Sequence, residues 1–491
     1  MSATPREPVT TVPREQWSTR TGFVLAAVGS AVGLGNMWRF SYLTAENGGA
    51  AFLVLFIVML LLIGLPIMLA EFVIGRGSKS SPIRALTQLG SGKWRPAGAI
   101  FVACGFLILS YYSVIAGWTM RYAGDAIIAG FQPGAGERFA QYSEGGGALL
   151  FHLIFMVVTI GIVSVGVRKG IERTAMVLMP LLFAIVAGIA IYAAFLPGAG
   201  AGYAFYFQTD FRAILDLDVL RAAVGQAFFS LSLGMGVMIT FASYLSREDH
   251  LPKESGMIAG ADFLVAFVAG LMVFPLIFAL GLSEMVGEST IGTLFIGLPE
   301  AFHAMGAPGR IVGLLFFVAL FVGALTSAIS MLELVVSSAI DSIGWTRMKA
   351  TIVAGVAIAL VGIPSALSAE WLGVVDEIAG TLLVTLGGLI VAVFVGWVMM
   401  SPEAEAAKGA GRVRWFPAWR FLLRWVLPPV LTLLLILGII GTVQNIAGMF
   451  ADEVEPATEM IEPEAEPGAG EGADGLQDGA LLLPEGIVLP G

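Results

Sequence analysis

Long apolar runs separated by short polar stretches set the pattern of this chain. They fall at 20–43, 50–75, 96–129, 148–166, 172–196, 220–246, 255–282, 310–340, 350–366, 372–400 and 421–449. A helix needs roughly 20 such residues to cross a bilayer, and the longer runs imply tilt or extension beyond it. The pattern predicts eleven spans and an all-α polytopic membrane protein. Two spans carry an anomaly at mid-membrane: Gly33-Leu34-Gly35-Asn36 in the first and Gly234-Met235-Gly236 in the sixth. Glycine is the worst ordinary helix former after proline, and backbone groups freed in hydrocarbon must find partners. Such breaks persist where their carbonyls and amides have something to bind.

The two breaks are matched. Gly33 and Gly234 stand 201 residues apart, and five spans begin at each. An odd number of spans per unit starts the second unit on the opposite side of the membrane, so the repeat is inverted. The reading is a 5+5 inverted-repeat transporter fold with broken helices 1 and 6, plus one extra C-terminal span. Interrupted helices at corresponding positions of two halves point to a midplane site in a secondary transporter. The expected organisation is a cytoplasmic N-terminal segment 1–19, a first repeat 20–200, an outer loop 201–219, a second repeat 220–400, a cytoplasmic loop with span 11 at 401–449, and a tail 450–491.

Composition agrees, with 57% hydrophobic and 13% charged residues among 491. The net charge of −10 has a local origin. Residues 450–491 hold 11 acidic residues and no basic ones, which leaves 26 basic against 25 acidic elsewhere. That tail, rich in Pro, Gly, Glu and Ala, reads as disordered, either a solvated tether or a partner site. Of the Lys and Arg residues, 20 fall on the side of the N-terminus and six (Arg39, Arg121, Arg138, Arg212, Arg221, Arg310) on the other. The positive-inside rule then places the N-terminus in the cytoplasm and, after eleven spans, the C-terminus outside. The single Cys104 excludes an intramolecular disulfide, and His152, His250 and His303 lack metal-site spacing. No short apolar core with a cleavage site precedes Arg20, so no removable signal is expected. No cluster of nucleophile, base and orienting group appears, which argues against an enzyme.

Several blocks in order resemble the neurotransmitter:sodium symporter family. They are Arg14-Glu15-Gln16-Trp17, Gly29 to Phe40, Glu46 to Phe52, Glu71 with Gly75-Arg76, Lys169-Gly170-Ile171-Glu172, Gly225 to Gly236, Thr326-Ser327 and Asp376 to Thr381. The resemblance covers about residues 14–445. Family members usually have twelve spans; this chain is expected to lack the last, as many prokaryotic members do. The resemblance implies the plasma (inner) membrane of a prokaryote, with sodium ions and an amino acid as ligands, the lipid bilayer as surroundings and no nucleic-acid partner. It leaves the oligomeric state open.

The same resemblance implies two sodium sites. Oxygen ligands suit a hard cation. Site one would use Ala31, Asn36, Ser230 and Asp262 together with the substrate carboxylate. Site two would use the carbonyls of Gly29, Val32 and Gly323 with the hydroxyls of Thr326 and Ser327. In isolation those two hydroxyls would be read as bonding back to the preceding turn. Asp262 is a departure, since relatives carry Asn there. A mid-membrane carboxylate is costly unless paired; the alternative is a neutral acid bonded to a neighbouring helix. Chloride-dependent relatives use a Tyr and a Ser where this chain has Phe56 and Ala266. Gln226 and Ser230 remain, and Asp262 is expected to supply the negative charge in place of chloride.

Half-helix ends favour a carboxylate at their positive poles and a cation at their negative poles. Gly33 stands where monoamine transporters carry an Asp, which leaves room for a substrate's own carboxylate, with Tyr112 as hydroxyl donor. The expected substrate residues are Ala31, Gly33, Leu34, Gly35, Ile108, Tyr112, Phe229, Ser230, Ser232, Met235, Ser327 and Met331, with Ser30 and Ala328 completing the pocket. No formal charge lines the side-chain pocket, and two methionines make it adaptable, although Met at helical spacing is often plain packing. The prediction is a neutral hydrophobic or aromatic amino acid. Arg39 and Asp376 read as an outer gate, lidded by Phe229 and Tyr112. Arg14 and Asp341 read as the inner gate, supported by Trp17, Ser243 and Tyr244; Arg14 alone would also satisfy simple positive-inside topology. Glu71 and Glu333 are expected to bond to neighbouring helices. Alternatives are a proton-coupled carrier, which would usually replace Thr326 and Ser327, and a non-transporting sensor, which would need a signalling domain.

Overall fold

A computed structural model describes residues 15–209, 211–282, 292–411 and 413–451. Arg14 and the acidic tail from 452 onward lie outside them. The residues group into two units, Met1–Gln444 and Asn445–Gly491; the first carries the features described below.

Every predicted apolar run forms helix, interrupted within the first and the sixth. Span 1 is a pair, Arg20–Ala31 and Gly35–Glu46, bent by 59° at its break. Eight further helices are long and apolar enough to cross a membrane: Ala50–Ser78, Gly92–Ile128, Gly145–Ser164, Val167–Ala194, Leu251–Ala279, Ala307–Ile343, Ala369–Val398 and Phe416–Asn445. Span 6 is split into Leu217–Ser230 and Val237–Ala242. Span 9 is Arg347–Val361, continued by Ile363–Leu367. Among the described residues the only extended pairing is an isolated bridge between Gly49 and Thr209. The expected outer loop 201–219 overlaps a further helix, Ala199–Tyr206, whose Tyr206 stacks on Phe274 of span 7 at 5.0 Å.

Local chemistry sets the ends. Thr19 starts span 1 by accepting from Gly22 N at 2.9 Å, which satisfies one of the orphan donors of a first turn. Ser368 does the same for Trp371 N at the start of span 10. Burial grades the spans: 72% of the apolar stretch of span 8 and 67% of span 3 lie inside the protein, against 33% of spans 4 and 5 and 22% of span 11. Spans 3 and 8 are thus the inner posts, and span 11 presents most of its surface to lipid.

Candidate binding site between the broken helices

Span 1 stays helical through Ala31, and Val32 leaves the helix with ψ of 105°. The amide of Gly33 loses its helical partner and donates to Asn36 Oδ1 at 3.1 Å. In span 6 the helix ends at Ser230, and Ser232, Gly234 and Gly236 take left-handed conformations with φ of 51°, 76° and 79°. Gly234 has two reasons to be glycine: that dihedral, and a Cβ that would lie 2.1 Å from the Val384 carbonyl of span 10. Its amide donates to Glu71 Oε1 of span 2 at 2.8 Å. Ser232 is held by its hydroxyl, which donates to the Ser30 carbonyl at 2.7 Å. The two broken helices are therefore tied to each other through the backbone freed by the first break.

Around these breaks lie two polar clusters. In the first, Asn36 Nδ2 donates to Asp262 Oδ1 at 2.7 Å and to Ser230 Oγ at 2.9 Å, while Ser230 Oγ donates to Asp262 Oδ2 at 2.7 Å. All three side chains are buried, as is Ala31 at the end of the first half helix. Asp262 is thus hydrogen-bonded through both oxygens to spans 1 and 6. In the second, Ser327 Oγ lies 3.2 Å from Ser30 O, 3.5 Å from Gly29 O and 3.1 Å from Gly323 O. Thr326 Oγ1 lies 3.1 Å from both Val322 O and Gly323 O. Thr326 therefore bonds back along its own helix, and Ser327 does so while also reaching span 1 beside Val32. Hydroxyls and carbonyls of this kind suit a hard cation better than a soft metal.

Tyr112, Ser327 and Gly33 converge between the clusters. A Cβ on Gly33 would meet Ser327 Oγ at 2.7 Å and Tyr112 Oη at 3.1 Å, so two hydroxyls face the glycine of the break. A Cβ on Gly35 would meet the Phe229 ring at 2.7 Å. Leu34, Ile108, Met235, Ala328 and Met331 are buried. Ser30 Oγ shares a 2.7 Å hydrogen bond with Ser330 Oγ. Sequence reasoning missed Ser330, although its place one turn before the span 8 acid Glu333 and three residues past Ser327 was a usable signal. At the chloride-type positions Phe56 packs on Phe40 at 5.3 Å, Ala266 is buried, and Gln226 Nε2 donates to Gly35 O at 3.0 Å.

The expected outer pair is not an ion pair here. Among the described residues, Arg39 sits over the Phe229 ring at 5.0 Å, and Asp376 accepts from Tyr111 at 2.5 Å. At the opposite face Trp17 Nε1 donates to Phe241 O at 3.0 Å, and its ring lies 6.1 Å from Tyr244. Asp341 Oδ2 accepts from Ser81 N at 2.7 Å. Glu333 proves to be a hub: it accepts from Tyr244 at 2.5 Å and pairs with Arg347 at 2.7 and 3.0 Å, while Arg347 also reaches Glu15 at 3.1 Å. The Arg347 bridge was not foreseen, because a basic residue before span 9 reads as topology alone.

Broken helices tied together beside buried oxygen clusters, in an all-helical multi-pass frame, define a secondary transporter of the leucine-transporter type. The chain belongs to the sodium:neurotransmitter symporter family, whose model matches residues 14–131 and 140–450. A sodium-dependent transporter of Bacillus subtilis is 34% identical over 447 residues, covering 87% of this chain and 98% of the relative. A sodium-dependent neutral amino acid transporter of Mus musculus is 29% identical, covering 55% of this chain and 42% of its own. Among solved structures, MhsT in complex with L-phenylalanine superposes with a TM-score of 0.79 at 43% identity, covering 86% of this chain and 99% of that one.

Proposed function

We propose that the protein is a sodium-coupled symporter that imports a neutral hydrophobic or aromatic amino acid by alternating access, without a need for chloride. One observation carries the reading: the hydroxyls of Tyr112 and Ser327 close on Gly33 at the break of span 1, 3.1 and 2.7 Å from where a Cβ would lie, so that only glycine leaves both donors facing the freed backbone. Side-chain specificity falls to Ile108, Phe229, Met235, Ala328 and Met331, none of them charged. The neutral amino acid named for the mouse relative and the L-phenylalanine of the MhsT structure support the same class. Asn36, Ser230 and Asp262 with Ala31 would hold one sodium ion; Thr326 and Ser327 with carbonyls of Gly29, Val32 and Gly323 would hold the second. Asp262 would supply the charge that chloride supplies elsewhere.

The bundle of spans 1, 2, 6 and 7 would rock against spans 3, 4, 8 and 9. Sodium and substrate share the broken helices, so each should raise affinity for the other. Counted along the sequence, 20 Lys and Arg on the side of the N-terminus against six on the other favour a cytoplasmic N-terminus. The test is uptake of labelled leucine into proteoliposomes, with sodium and proton gradients imposed separately and each of the twenty amino acids as competitor. Sodium-driven uptake blocked by Leu, Met, Phe and Trp is expected. Proton-driven uptake, or preference for Asp, Lys or glycine, overturns the reading.

A further inference from the structure

Arg76, near the end of span 2, is among the largest fully buried side chains of the protein. Its guanidinium is committed to two other segments. Nε pairs with Glu405 Oε1 at 3.0 Å and Nη2 donates to Glu405 O; Nη1 donates to Asp249 O at 2.5 Å and to Lys408 O at 3.2 Å. Glu405 and Lys408 belong to the 401–411 linker between spans 10 and 11, and Asp249 to the loop after span 6. The linker is seated on that loop: a Cβ on Gly409 would lie 2.3 Å from Glu248 O. Span 2 is in turn pressed on the second half of span 6, where a Cβ on Gly75 would lie 2.0 Å from Ile239 O. At a second level, Trp419 Nε1 of span 11 donates to Pro66 O of span 2 at 3.0 Å. Arg420 meets both oxygens of Glu403 at 3.0 Å and so closes span 11 onto the linker.

Lys79 Nζ still donates to Leu245 O at the end of span 6, and past it the contacts change sides. Lys79 takes a left-handed conformation with φ of 55°, unusual for a residue with a side chain. Ser81 N donates to Asp341 of span 8 at 2.7 Å. The helix Pro82–Leu89 then lies on span 3, so close that a Cβ on Gly98 would sit 2.5 Å from Ile83 Cα. Span 10 touches both sides, Gly234 through Gly387 and Tyr111 through Asp376, and so does not decide the matter. Arg76 does. Pulling the linker from span 2 in each cycle would strand a buried cation, and that is costly.

We propose that the 401–411 linker and the adjoining start of span 11 travel with the moving bundle, carried by span 2 through Arg76 and Trp419, and that Lys79–Ser81 is the hinge against spans 3 and 8. This rests on the rocking-bundle reading above. The extra C-terminal span is then a passenger of the bundle and not a part of the static frame.

Two measurements on the full chain test it. In Gly77→Cys/Glu405→Cys the sulfurs can meet, since a Cβ on Gly77 would lie 3.5 Å from Glu405 Cγ, and the one native cysteine is buried. Oxidised and reduced forms are expected to take up leucine within about two-fold of each other, because the link joins parts that move as one body. A loss of about ten-fold on oxidation, reversed by dithiothreitol, overturns the proposal. Spin-label distances are independent of how that pair folds. Between sodium-loaded and potassium buffers, the Ala404→Cys to Met348→Cys distance should shift together with the Arg247→Cys to Met348→Cys distance. The Ala404→Cys to Arg247→Cys distance should hold. A fixed 404–348 distance while 247–348 shifts overturns the passenger assignment alone. If 247–348 does not shift in protein that transports, the hinge and the rocking reading both fall.

Discussion

Replacing Gly387 by Ala tests how tightly the break in span 6 is backed. A Cβ at this position would sit 1.7 Å from the Gly234 carbonyl oxygen and 2.6 Å from its carbon. Carbon atoms pack best at about 3.5–4.0 Å, so the two backbones would have to part by on the order of 1.5 Å. No flexible side chain can give way, because the obstacle is backbone on both sides. Overpacking of this kind costs about 1–3 kcal/mol. Retreat of Gly234 also strains its 2.8 Å bond to Glu71, and leaving that carboxylate oxygen unsatisfied adds about 1–3 kcal/mol. A total of about 2–6 kcal/mol should appear as a clear fall in the unfolding temperature of the purified protein. Displacing binding groups by about 1 Å should lower uptake by up to about 10²-fold. Gly260→Ala is the control: nothing lies within 4 Å of its Cβ, and a helix interior should gain about 0.5–1 kcal/mol. Wild-type unfolding temperature and uptake in Gly387→Ala would refute the argument that this contact shapes the site.

Asp262→Asn should lower leucine uptake by about ten-fold or more, since one charged hydrogen bond is worth about 1.5–3 kcal/mol; Phe56 and Ala266 carry no hydroxyl, so added chloride should not rescue it. Wild-type uptake should be indifferent to replacing chloride with gluconate, and a fall on that replacement would reject the role given to Asp262. Glu333→Gln should destabilise the protein by about 1–3 kcal/mol, because the half-buried Arg347 keeps only Glu15 as a charged partner, whereas Glu333→Met with Arg347→Met should recover most of that in thermal unfolding. Lys79 titrates low, at about 8 against an ordinary 10.5, because burial and then the neighbouring Arg76 disfavour its charge. Above pH 8 the folded protein holds fewer protons than the unfolded one, so wild type should gain stability over Lys79→Met as pH rises from 8 toward 10. A flat difference between the two would argue against burial of that amine.

The helical frame was legible because hydrocarbon imposes it: apolar length predicts each span, and paired glycines at Gly33 and Gly234 mark where the backbone is put to use. The polar clusters were legible through the family blocks, and Asn36, Ser230 and Asp262 do converge. What escaped were contacts between residues that are ordinary in isolation. Nothing in Ser232 announces a left-handed serine held by the Ser30 carbonyl, because that conformation depends on a partner 202 residues away. In the sequence Arg76 counts only as part of a family block and of the basic bias, and nothing singles out Trp419, until their acceptors on Glu405, Asp249 and Pro66 are seen. Arg39 and Asp376 were paired by charge, yet each takes a nearer aromatic partner, Phe229 and Tyr111.

The Gly75 contact with Ile239 and the Gly234 contact with Val384 set limits on how this pocket can diverge. Behind the second broken helix, backbone meets backbone, and a mutation there adds volume that nothing can absorb. Ile108, Ala328 and Met331, which we propose line the pocket, are side chains of uninterrupted helices and can be exchanged for others of different shape. Descendants of this sequence that acquire new diets should therefore record the change in side chains, at Ile108, Ala328 and Met331 and at Phe229 and Met235, while the glycines at the backbone contacts behind span 6 stay as they are.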